Sequence, residues 1–190
     1  IMISRSDGNH LRQLASQNGG KVTLSIQKTS TVIPGRTIVP GTFYVNDVVV
    51  RNNNGVSEIY AAVGYSGYRD APNTLFGAEN YGLYKSIDGG SNWEKLSLLI
   101  DGSNNPVNPI DLEISVVDNT LWVSSTRDIS GEGGGGVWQS DDSGDNFTKK
   151  YQVDTEFDPG RTEIEVTSNN TVWIFSSTRD SDPVKLFKGT

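Results

Sequence analysis

Two stretches of this chain repeat each other almost position by position. Gly82-Leu83-Tyr84-Lys85-Ser86-Ile87-Asp88-Gly89-Gly90-Ser91-Asn92-Trp93 matches Gly136-Val137-Trp138-Gln139-Ser140-Asp141-Asp142-Ser143-Gly144-Asp145-Asn146-Phe147, and the shared serines, Ser86 and Ser140, stand 54 residues apart. A second unit recurs beside them. Thr120-Leu121-Trp122-Val123 runs into Ser124-Ser125-Thr126-Arg127-Asp128, and Thr171-Val172-Trp173-Ile174-Phe175 runs into Ser176-Ser177-Thr178-Arg179-Asp180. The tryptophans are 51 residues apart and the arginines 52, so one extra residue enters the third repeat, and a β-bulge would absorb it. Tyr68-Arg69-Asp70 ends a weaker first copy. A repeat near fifty residues points to blades or another array whose units bury their faces against one another.

Each repeat divides into short strand-like pieces. In the second, Ile110 to Val117 alternates apolar and polar, with Ile110, Leu112, Ile114 and Val116 on one side. Asp118-Asn119 is a turn signal, Leu121 to Thr126 a second strand, Val137 to Gln139 a third and Phe147 to Val153 a fourth. The first repeat offers Tyr44 to Arg51, Glu58 to Val63, Gly82 to Lys85 and Trp93 to Leu99; the third offers Thr162 to Thr167, Thr171 to Ser176 and Val184 to Lys188. Helical period is absent except for a turn or two over His10 to Ser16. Four strands per repeat, with one turn motif fixed after the third strand, favour an all-β propeller of four-stranded antiparallel blades over a sandwich. The expected division is a blade remnant at 1–40, blades at about 41–100 and 101–155, and an incomplete blade at 156–190.

The repeated Ser-x-Asp-x-Gly-x-x-aromatic motif resembles the Asp-box, or BNR, repeat of sialidases, sortilin-type receptors and xyloglucan-cleaving glycosidases. Its chemistry is that of folding. Asp88 and Asp142 can accept backbone N–H bonds inside the turn, with Ser86 and Ser140 adding hydroxyls. Gly90 and Gly144 permit positive φ. Trp93 and Phe147 are expected to pack beneath the turns, each worth about 2–3 kcal/mol when buried. The resemblance implies an extracellular or cell-surface protein, expected to be bacterial; the lack of Cys fits any compartment and argues only against the disulfide-dense ectodomains of animals.

In a meander the Asp boxes mark one end, and the resemblance places ligands at the other. That end carries the loops Gly64 to Tyr81, Asp101 to Pro109, Asp128 to Gly135, Asp154 to Gly160 and Ser181 to Pro183. The longest holds Tyr65, Tyr68, Arg69, Asp70, Phe76, Glu79 and Tyr81. Aromatics beside carboxylates suit a sugar, which stacks its C–H face on a ring, although a loop folded over its own aromatics has the same composition. Arg69-Asp70, Arg127-Asp128 and Arg179-Asp180 should share this end; they could clamp a carboxylate or bridge neighbouring blades. The Phe-Arg-Ile-Pro element of sialidases is missing, and no tyrosine nucleophile with a paired glutamate can be assigned.

A net charge of −7 repels phosphate backbones and argues against nucleic acid. No apolar run approaches the roughly 18 residues that a membrane-spanning helix needs. Without Cys there is no thiolate metal site. The acidic turn Asp141 to Asp145 could hold Ca²⁺, but it lacks EF-hand spacing; no cofactor or metal is expected. Met2 to Gly8 lines up with Leu83 to Gly89, and Leu186 to Thr190 with Leu83 to Ile87. Closing these ends on each other gives about three blades, short of the usual four to eight, so the expectation is a segment whose partners include the remaining blades of a larger chain. Three functions stay open: a non-catalytic module binding a glycan or protein, part of a glycoside hydrolase, or an architectural domain of a surface assembly.

Overall fold

The computed structural model describes residues 13, 32–33, 36–39, 44–68, 71–77, 80–154, 159–178 and 184–189. The fold is all-β, and Gln13 alone among the described residues is helical. Three antiparallel meanders follow one another along the chain. The first joins β3 (Tyr44–Asn53), β4 (Val56–Gly64), β7 (Gly82–Ser86) and β8 (Glu94–Lys95). The second joins β9 (Asn108–Ile114), β10 (Leu121–Thr126), β11 (Gly136–Ser140) and β12 (Thr148–Gln152). The third joins β13 (Pro159–Val166), β14 (Val172–Thr178) and β15 (Val184–Gly189).

These strands form because each sheet has two apolar faces to cover. Tyr60, Ala62 and Leu83 of the first meander pack on Leu112, Leu121, Val123 and Trp138 of the second. The opposite face of the second, with Trp122, Val137 and the flanking Val153, packs on Ile164, Val166, Val172 and Ile174 of the third. Successive residues along β10 therefore enter different cores, and Leu121 to Ser125 are all buried. Polar groups tie the same layers together. The Asp47 carboxylate accepts the Leu112 N–H at 2.9 Å, and Asp111, one sheet on, accepts the Ile164 N–H at 2.7 Å. The Ser124 hydroxyl donates to the Thr162 carbonyl at 2.6 Å.

The two repeated Ser-x-Asp turns share the same central set of hydrogen bonds. Ser86 Oγ donates to Asp88 Oδ1 at 2.9 Å and accepts the Gly90 N–H at 2.9 Å; Ser140 does the same for Asp142 and Gly144 at the same distances. Asn92 and Asn146 each give a backbone N–H to Oδ1 and a side-chain N–H to Oδ2 of their Asp. These bonds hold both Asp carboxyls down to about 2. Gly90 (φ 87°) and Gly144 (φ 88°) sit in the left-handed region, as the motif requires. The aromatic partners differ. Phe147 is half-buried against the first core, whereas Trp93 is 44% exposed, so the expected buried anchor is absent from the first turn. Trp93 instead donates its indole N–H to the Gly90 carbonyl at 3.0 Å and lies over that turn.

Several boundaries shift. β9 ends at Ile114, and Val116 and Val117 lie exposed in the following turn, so Val116 does not continue the apolar row. β8 is two residues long instead of spanning Trp93 to Leu99. The bulge expected in the third repeat is found in all three, between Val45 and Asp47, at Ser124/Ser125 and between Pro159 and Thr162. The stretch Gly64 to Tyr81, read as one loop, contains β5 (Ser66–Tyr68) and β6 (Ala71–Phe76). They join β1 (Val32–Ile33) and β2 (Arg36–Val39) in a fourth sheet, with β2 parallel to β6. The helical turn over His10 to Ser16, apart from Gln13, lies outside the described residues.

Candidate ligand-binding cavity

Strand register fixes which end is which. Leu121 pairs with Ser140 of the Asp box, while Thr126, at the other end of β10, pairs with Asn108. At that second end, β4, β10 and β14 leave their sheets and β9 and β13 enter theirs. A cavity of about 470 Å³ opens there between the second and third meanders, beside Tyr65 from the first. Its polar lining includes Asn108, Arg127, Asp128, Ser130, Arg161 and Thr178.

Asn108 opens β9 and is 3% exposed. Its side-chain N–H donates to the Arg127 carbonyl at 2.8 Å, and its Oδ1 is buried without a partner. Such an acceptor costs about 1–3 kcal/mol unless something donates to it. The Arg127 carbonyl also receives the Tyr65 hydroxyl at 3.2 Å. The Arg127 guanidinium donates Nε–H to the Pro159 carbonyl of the third meander at 3.2 Å. Arg161 pairs with Glu163 and is largely exposed.

Asp128 is buried, and its carboxylate organises the loop. Oδ1 accepts from the Ser130 N–H, the Ser130 hydroxyl and the Glu132 N–H at 2.6–2.9 Å, and Oδ2 accepts from Asn105. Tyr81 is buried edge-on to Tyr65 at 5.5 Å, and burial, with the nearby Asp128 charge, pushes its hydroxyl pKa up. Leu75 and Ile129 close over Tyr65 from the side.

The structure thus brings Tyr65, Arg127 and Asp128 to one cavity, with Tyr81 behind Tyr65. Tyr68 falls in β5, while Arg69, Asp70, Glu79, Arg179 and Asp180 lie outside the described residues. Arg127 reaches the next sheet, which is the bridging arrangement, and Asp128 turns to its own loop instead of to Arg127. Sequence reasoning missed Asn108 and Arg161, for which no local pattern exists. Thr126, Ser177 and Thr178 were present in the recurring Ser-Ser-Thr-Arg-Asp string, which was read only for its charged pair. Comparison with known proteins returns no match: no family model, no curated protein and no solved structure fits this chain.

Two other polar groupings serve the frame. Tyr60 donates its hydroxyl to Glu58 at 2.7 Å, and Arg51 and Lys85 flank the same carboxylate. A tyrosine–glutamate pair could suggest a nucleophile, but Tyr60 is fully buried, and burial followed by the Glu58 contact raises its pKa. The group holds the second Asp-box turn, since Tyr60 and Lys85 both donate to the Ser143 carbonyl. Among the described residues no cluster of three or more His, Asp or Glu is arranged for a metal. In the acidic turn, both Asp142 oxygens are engaged by Ser140 and Asn146. No helix among the described residues is long and apolar enough to cross a membrane.

Proposed function

We propose that this chain is an Asp-box β-propeller module of an extracellular or cell-surface protein, and that it binds an acidic glycan in the cavity between the second and third meanders. The observation that carries the reading is the unpartnered, buried Asn108 Oδ1 in a cavity lined by Arg127 and Arg161. A sugar hydroxyl would donate to Asn108, a carboxylate or sulfate would accept from the arginines, and Tyr65 supplies a ring edge. The propeller is supported by three meanders stacked in chain order and by Asp boxes on the end away from the cavity.

Binding is favoured over hydrolysis by the lining itself. Asp128 is the one carboxylate residue among the described lining residues, and its oxygens are committed to its own loop. A glycosidase needs a pair. The test is a titration of the chain with acidic and neutral oligosaccharides. Acidic ones should bind, more weakly as salt rises, and Asn108→Ala should weaken binding by about tenfold or more. Equal binding of neutral sugars, or none of either kind, would sink the proposal.

A further inference from the structure

Four consecutive glycines, Gly133 to Gly136, lead from the loop at the cavity into β11. A run of this kind is free to take many conformations, yet here it is held from both sides. The Ser125 hydroxyl donates to the Gly133 carbonyl at 2.5 Å and accepts the Gly136 N–H at 3.1 Å. The Gln152 side chain donates to the Gly134 carbonyl at 2.9 Å, and the Gly135 carbonyl accepts the Val153 N–H at 2.8 Å.

Gly134 lies where a side chain has no room. Its φ is outside the left-handed region, so space and not backbone strain calls for glycine. A Cβ here would stand 2.6 Å from the Pro159 carbonyl oxygen and 2.8 Å from Arg127 Cγ. These are the two sides of one contact. The Arg127 Nε–H donates to that same carbonyl at 3.2 Å, which carries the guanidinium from the second meander to the third at the cavity. Of the groups that meet at Gly134, one can yield. The glycine run is bonded to β10 and to the end of the second meander, and the Pro159 carbonyl belongs to backbone paired with Thr178 in its own sheet. The Arg127 side chain turns about single bonds, so a methyl group at position 134 would displace it.

We propose that Gly134 is a positioning residue of the cavity: having no side chain, it seats Arg127 across the seam between the second and third meanders, and so sets how strongly the cavity takes an acidic group. The effect on binding rests on the glycan reading; the seat itself does not. A guanidinium serves an anion best when its planar donors are already in place. An arginine without its seat must be ordered again each time a ligand binds, and affinity falls by that cost.

Gly134→Ala tests it in two ways. In proton–nitrogen spectra at neutral pH, the Arg127 Nε–H should be protected from exchange in the unaltered chain and should exchange about tenfold faster or more in Gly134→Ala. The Val153 amide, bonded to the Gly135 carbonyl, should exchange as before. In titrations with an oligogalacturonate, Gly134→Ala and Arg127→Ala should each bind about tenfold more weakly. The double variant should bind no more weakly than Arg127→Ala alone, because the glycine acts through the arginine. An Nε–H that stays protected in Gly134→Ala would overturn the proposal. So would a Val153 amide that opens with it, since the loop and not the arginine would then have moved, and so would losses that add in the double variant. If the Nε–H responds as expected but no chain binds the oligogalacturonate, the seat stands, and the glycan reading falls together with the effect on binding.

Discussion

Gly90 and Gly144 hold the same place in their two turns, with φ values of 87° and 88°, yet they do not have the same neighbours. A Cβ on Gly90 would meet only the Trp93 ring, at 3.6 Å. A Cβ on Gly144 would come within 2.6 Å of Leu96 Cδ1, which is packed against the first core. Gly90→Ala should therefore cost the left-handed strain alone, about 1–2 kcal/mol. Gly144→Ala adds a steric conflict in a packed region and should cost about 2–4 kcal/mol. Urea unfolding of the two variants gives the comparison; equal losses would mean that Leu96 moves aside freely. The motif's bonds span four residues or fewer, so its Ser, Asp and Gly roles were legible in the sequence. What lies above or below each turn was not, and so Trp93 was expected inside and is found outside.

The first strands bring acidic side chains close together, and the turns hold others at their ends. Asp111 is pushed up to about 6, chiefly by burial, with the charges of Glu163 and Asp47 adding to it. Glu113 is pushed up to about 7, again chiefly by burial, with Glu165, Asp111 and Asp47 adding. A carboxyl whose pKa is higher folded than unfolded binds more protons in the folded state between the two values. Stability therefore grows as pH falls from about 7 toward 4.5. Asp88 and Asp142 have the opposite sign. Held down to about 2, they contribute fully above about 4 and lose that contribution as pH falls toward 2. Thermal unfolding followed from pH 8 to pH 2 should show a maximum between about 4 and 6. Glu113→Gln should flatten its neutral side and leave the acid side unchanged. A maximum at pH 7 or above would contradict the burial of the two carboxyls. Strand identity was legible from alternation and turn signals. The clustering of carboxylates was not, because Asp47 and Asp111 are separated by a whole repeat and meet only through stacking.

Across the molecule, sheets are joined by what their first strands offer, and this distinguishes the readable part of the fold from the rest. The meanders are local: every pair from β9 to β12 joins neighbours in sequence, so period and turn chemistry reveal them. The parallel pairing of β2 with β6 sets Thr37 against Thr74, with the first two strands of a meander between them in the chain, and no local pattern announces it. Asn108 was hidden for the same reason, since its side-chain bond runs to the Arg127 carbonyl, which becomes its neighbour only once β9 and β10 pair. The Asp111 carboxylate tests how far one sheet holds the next. Its Oδ2 accepts the Ile164 N–H at 2.7 Å, while its Oδ1 lies 3.1 Å from the Leu112 N–H, which Asp47 also receives at 2.9 Å. In Asp111→Ala the Ile164 amide loses its partner and the Leu112 amide keeps one. Ile164 should then exchange its amide hydrogen about tenfold faster, with much less change at Leu112, in site-resolved hydrogen exchange at neutral pH. Ile164 faces the second core, so its amide opens to water only when β13 lifts from β9. If both amides quicken equally, Asp111 supports the whole stack instead of one seam. If neither changes, apolar packing alone holds the third meander, and the carboxylate follows that contact without securing it.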